Sequence, residues 1–130
     1  MRRLSEYLVF VTGLVMLLGA IPHAVVGWPA MNAMLGTYGV DASTVGALAV
    51  GWYFGSAAMA ALGLVAIFAF FELRRGRAAA RVYAAAAGAC YLVFGLAVYL
   101  GRGFNPHFLF FIGLGAVLLA ALGMWRPEVA

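Results

Sequence analysis

Residues 45–71 read VGALAVGWYFGSAAMAALGLVAIFAFF, a run without one charged side chain. A bilayer core takes about 20 apolar residues in a helix, so this run is long enough to cross one. Working outward from it, residues 4–21, 82–100 and 108–125 have the same character. Helix is the default, because an open backbone in lipid leaves unpaired amides, and nothing here alternates as barrel strands do. The expected fold is an all-α membrane protein: four transmembrane helices in an up-and-down bundle, forming one domain over residues 1–130.

Composition agrees. The chain is 67% hydrophobic and 9% charged. A soluble domain carries charge on about a quarter of its residues, so this chain could not coat its own surface. Water-soluble enzymes, nucleic-acid modules and disordered tails are excluded. All eight cations are Arg, and the Arg, Ala and Gly excess reads as the codon bias of a GC-rich, bacterial genome. The single cysteine, Cys90, excludes an intramolecular disulfide and a CxxC redox pair.

The connections differ in character. Residues 22–44, with Pro22, Pro29, Gly36, Gly39 and Asp41, read as a long, weakly polar loop. Within it, residues 24–35 are apolar but too short to span, and are expected to lie in the membrane interface or dip back as a lid. Residues 72–81 form a short Arg-rich connection, and residues 101–107, GRGFNPH, a tight turn.

Arginine placement sets topology. Arg2, Arg3, Arg74, Arg75, Arg77, Arg81 and Arg126 fall on one side of a four-span chain, and Arg102 on the other. Both termini are therefore expected in the cytoplasm, in a multi-pass inner membrane protein, with His23 and His107 facing outward. Arg2 and Arg3 before an apolar run also fit a signal peptide. No small-x-small cleavage site follows, however, so the run is read as a span.

Two echoes suggest a duplicated helical hairpin. Tyr7-Leu8-Val9-Phe10 recurs as Tyr91-Leu92-Val93-Phe94, and Pro22-His23 as Pro106-His107, each 84 positions on. Ala60-Ala61-Leu62-Gly63 recurs as Ala120-Ala121-Leu122-Gly123, 60 positions on. Small-residue faces, Gly51-xxx-Gly55, Ala57-xxx-Ala61 and Ala84-xxx-Gly88, suit close packing within the bundle, in a homo-oligomer or in a larger membrane complex. Tyr83 and Tyr99, about 24 Å apart along a helix, mark the two interfaces of the third span. Trp28 is expected at the outer interface and Trp125 at the inner one.

The candidates for chemistry lie at two depths. His23 ends the first span and His107 begins the fourth, so both fall near the outer face. Two imidazoles at one depth suit axial ligation of haem b, or copper or zinc with Met31 or Met34 as soft ligands, or a hydrogen bond to a quinone or lipid head group. The plain alternative is that each caps a helix end beside its proline. Nearer mid-bilayer, Thr12, Ser56, Cys90 and Tyr91, with Tyr53 a turn above Ser56, are expected to meet inside the bundle, chiefly as interhelical glue. A ligand pocket drawn from these readings comprises Trp28, Tyr53, Ser56, Tyr91 and Asn105.

Absences narrow the function further. No Asp, Glu, Arg or His lies in the central part of any span, which argues against proton-coupled export and a carboxylate-based hydrolase. No phosphate-binding glycine motif is present, and Ser56 has no embedded base. The reading that follows is a non-enzymatic bundle: an accessory subunit, or a lipophile-binding protein with an outward-facing pocket. The alternative is a redox or metal protein holding haem or copper through His23 and His107.

Overall fold

The computed structural model describes residues 2–101 and 104–125, and the chain is helical over nearly all of them, with no strand among them. Helix α1 runs Arg2–Pro22, a π-helical turn follows at His23–Gly27, and α2 continues over Trp28–Thr37. Helix α3 covers Ala42–Arg74, α4 covers Ala80–Gly101, and a 3₁₀ turn at Pro106–Phe108 leads into α5, Leu109–Met124. Four stretches are long and apolar enough to cross a membrane: Arg2–Thr37, Ala42–Arg74, Ala80–Gly101 and Pro106–Met124. The protein is an all-α, multi-pass four-helix bundle.

The expected outer loop over residues 22–44 is not a loop, and no lid folds back. The first helix continues to Thr37, and the turn to α3 takes only residues 38–41. The prolines mislead for a physical reason. Pro22 lacks an N–H and ends the regular α ladder, but the wider π turn that follows carries the chain on. Pro29 falls in the first turn of α2, where a missing N–H leaves nothing unpaired. The tip is closed by Gly39 in the left-handed region, φ 66°. Asp41 then caps α3, its carboxylate accepting from the backbone N–H groups of Ser43 and Thr44 at 3.0 Å and from both their hydroxyls. Those hydroxyls, with the amides behind them, hold the Asp41 carboxyl well below the usual carboxylate range. At the other end, Gly76 at φ 78° lets residues 75–77 fold back onto the last carbonyls of α3.

The helices form a ring in which α1 packs on α3 and α5, and α4 packs on α3 and α5. The first and last spans are therefore neighbours. Each hairpin is held by one backbone crossing. A Cβ on Gly63 would stand 2.6 Å from the Leu17 amide nitrogen and 2.8 Å from the Gly13 carbonyl oxygen. A Cβ on Gly115 would stand 2.5 Å from the Leu92 nitrogen and 2.6 Å from the Gly88 oxygen. Glycine is required at both places, because only its absent side chain allows such an approach.

This matched geometry shows how the hairpins repeat. Ser5, Val9, Thr12, Gly13, Met16 and Ala20 are buried in α1, and the buried residues of α4 are the same positions advanced by 75. Met59, Gly63, Ala66, Ala69 and Phe70 of α3 become, advanced by 52, the buried residues of α5. The packing thus repeats, but not in the 84 and 60 register of the sequence echoes. Those echoes pair residues that face different neighbours. Nor do the helices use Gly51-xxx-Gly55 within the chain: Gly51 has nothing within 4 Å of a Cβ, and Gly55 meets only His23 Cε1 at 3.9 Å.

The two hairpins differ in length. Among the described residues the second has helices that end at Gly101 and start at Pro106, whereas the first continues through α2, a 10-residue overhang of about 15 Å. No residue of α2 is buried, and Val25, Val26, Met34, Tyr38, Leu48 and Val50 are exposed around this extension.

Candidate functional site

The π turn and α3 together build the cluster at the base of the overhang. The indole of Trp52 lies against the turn, its Nε1–H donating to the His23 carbonyl oxygen at 2.7 Å. Gly27 makes this approach feasible, since a Cβ there would stand 2.7 Å from Trp52 Cζ2. The His23 imidazole stacks on the same indole, ring centroids 4.5 Å apart and planes 10° from parallel. One turn on, the Ser56 hydroxyl donates to the Trp52 carbonyl oxygen at 3.1 Å and lies 2.8 Å from His23 Nδ1.

The Ser56 hydroxyl has one hydrogen and two acceptors in reach, the Trp52 carbonyl and His23 Nδ1. When the carbonyl takes it, Nδ1 carries a hydrogen and donates to the Ser56 oxygen, and Nε2 is a bare lone pair. Nε2 has no partner among the described residues. Trp28 extends the aromatic ledge, its ring centroid 6.1 Å from those of both Trp52 and Tyr53. The arrangement offers one positioned imidazole nitrogen on an aromatic surface. It can take a hydrogen bond from a hydroxyl or amide, or coordinate a metal ion.

Of the residues singled out in the sequence, His23, Trp28, Tyr53 and Ser56 meet in this cluster. His107 does not join its hydrogen bonds. It is exposed, and its ring stands nearly perpendicular to those of Phe108 and Phe111. Asn105 caps the 3₁₀ turn, its side chain accepting from the His107 N–H at 3.0 Å. Tyr91 lies one layer deeper, 3% exposed against Phe111, and its hydroxyl has no hydrogen-bond partner among the described residues. Thr12 is buried, whereas Cys90 faces out beside Ala89, Val93 and Phe94 and does not join the interior group. Met31 and Met34 sit on α2, above the cluster. Among the described residues, no group of three His, Cys, Asp or Glu side chains stands together.

Sequence reasoning missed Trp52, which binds His23 two ways, through its indole N–H and by stacking. Its spacing of one helical turn before Ser56 was the available signal. It also missed the opposite end of the bundle. Trp125 is not an interfacial anchor there but is 1% exposed, flanked by the guanidinium groups of Arg2 and Arg81, each 5.7 Å from its ring. Its Nε1–H donates to Glu6 Oε1 at 3.3 Å, and Arg2 Nε donates to the same oxygen at 2.8 Å. Arg2 also reaches the Leu73 carbonyl, and the Ser5 hydroxyl donates to the Ala121 carbonyl at 2.6 Å. This clasp ties the ends of α1, α3, α4 and α5 together.

Compared with protein-family models, curated proteins and solved structures, the chain matches none.

Proposed function

We propose that this small membrane protein is a non-enzymatic bundle that binds a lipophilic molecule at its outward end, through His23. The observation that carries this reading is the placement of His23: Nδ1 is engaged by Ser56 at 2.8 Å and the ring is stacked on Trp52, which leaves Nε2 for a ligand. A ligand matching it has a flat or apolar body for Trp28, Trp52 and Tyr53 and a hydroxyl or amide donor for Nε2. By the positive-inside rule, the Arg-rich end lies in the cytoplasm, which puts the His23 end on the outer side of a bacterial inner membrane.

The test is an extraction from the native membrane in mild detergent. An ultraviolet–visible spectrum, metal analysis and mass spectrometry of the bound lipophiles are taken together. A stoichiometric organic molecule, lost in His23→Ala and retained in His107→Ala, supports the reading. A preparation free of any lipophile, with His23→Ala unchanged in every readout, refutes it.

Two other readings rest on particular observations. The apolar, unburied overhang favours an accessory subunit whose outer extension packs against other subunits of a larger complex, or against a second copy. Nε2 also suits an iron or copper ion, with His107 as the second ligand. A Soret band or stoichiometric copper, lost when either histidine is replaced, would move the assignment to that redox or metal alternative.

A further inference from the structure

The Arg-rich end carries a feature independent of His23. Between α4 and α5 an open groove of about 490 Å³ runs along Val82, Ala85, Leu119 and Gly123, and Arg81 is its single charged lining residue. The Arg81 guanidinium is fixed, with Nη2 donating to the Leu122 carbonyl at 3.1 Å and the charge lying over Trp125. Its Nε is buried with no acceptor among the described residues.

Of the neighbouring arginines, Arg75 and Arg77 pair with Glu72 and Arg2 with Glu6, while Arg74 lies over Phe70. Arg81 has no carboxylate in reach among the described residues. A fixed cation therefore stands at the mouth of an apolar groove, at the level where α4 begins and α5 ends.

We infer that this groove holds one anionic phospholipid of the arginine-side leaflet, its phosphate on Arg81 and an acyl chain along Val82, Ala85 and Leu119. Three considerations select this occupant. Lipid hydrocarbon is what surrounds this face in a bilayer, so an acyl chain needs no further desolvation to enter. Guanidinium is the side chain best suited to phosphate, with several donors in one plane. Basic pockets between transmembrane helices on this side of a membrane recognise anionic head groups.

Native mass spectrometry of the full-length protein in detergent tests this, with phosphatidylglycerol and phosphatidylcholine of identical chains as probes. The wild type is expected to retain phosphatidylglycerol about tenfold better, the size of one charge-assisted contact. Arg81→Gln should reduce that ratio to near one, and Arg81→Lys should keep part of it. Gly123→Leu fills the groove from a position with nothing within 4 Å of its Cβ, so it should weaken lipid retention with the fold intact. Circular dichroism verifies the fold of each variant. Equal retention of both lipids by the wild type would overturn the site. So would an undiminished preference in a folded Arg81→Gln protein, or complete displacement of the lipid by inorganic phosphate.

Discussion

The imidazole of His23 lies flat on the indole of Trp52, at 4.5 Å, while the same indole donates to the His23 carbonyl. One side chain of α3 thus fixes both the ring and the backbone of the π turn. Trp52→Phe keeps an aromatic face but removes that side-chain hydrogen bond. The expected cost is about 1 kcal/mol, the net worth of one hydrogen bond, read as a lowered unfolding midpoint in detergent.

Ser56→Ala should leave the stack and release the tautomer. In the wild type, ¹⁵N spectra of the imidazole are expected to show Nδ1 protonated and Nε2 bare. In Ser56→Ala both nitrogens should give the averaged shifts of a mixture. Unchanged spectra would mean that Ser56 does not set the tautomer.

Gly63→Ala and Gly51→Ala separate internal packing from an outer surface. The first pushes a methyl group into the backbone of Leu17 and should destabilise the first hairpin by about 1–3 kcal/mol, the range for overpacking. The second meets open space and should leave unfolding unchanged. A loss of association in Gly51→Leu, with the monomer intact, would assign that face to a neighbouring chain.

Glu6→Ala removes the acceptor of a buried indole N–H, leaving Trp125 unsatisfied between two guanidinium groups. An expected loss of about 1–3 kcal/mol should come with a changed Trp125 fluorescence, since the ring would no longer be clasped.

The α3 cap should survive acid. Asp41 has a lowered pKa in the folded state, so its contribution is complete above the unfolded value of about 4 and is lost only as pH falls through the lower folded value. Amide shifts of Ser43 and Thr44 should therefore hold steady down to pH 4 and move below it. A midpoint near 4 would show that the cap is not formed.

The four spans were legible because a bilayer demands length and apolarity, and residues 45–71 supply both without a break. The helical extension to Thr37 was not. Periodicity cannot separate a short apolar loop from helix, and Pro22 and Pro29 punctuate the sequence without stopping the chain. His23 was legible as a rare residue type, but its partner Trp52 is concealed within an apolar run where any tryptophan looks like packing. The clasp at the other end joins Glu6 to Trp125 across 119 positions, a pairing no local pattern announces. The glycines teach a similar lesson. Gly51-xxx-Gly55 has the better-known spacing, yet spacing on one helix does not reveal which face its neighbour takes.

The unequal hairpins have a consequence for the surrounding lipid. At α4 the protein presents a helix of 22 residues, about 33 Å, while at α3 it presents 33 residues, about 50 Å. A bilayer of about 30 Å matches the first and not the second. Lipid on one side of the molecule can rest at its natural thickness. On the other side the bilayer must swell, the long pair must lean, or its end must stand clear of the hydrocarbon. The bundle thereby carries a built-in hydrophobic mismatch on one flank, and this flank will favour thicker membrane regions or neighbours of equal height.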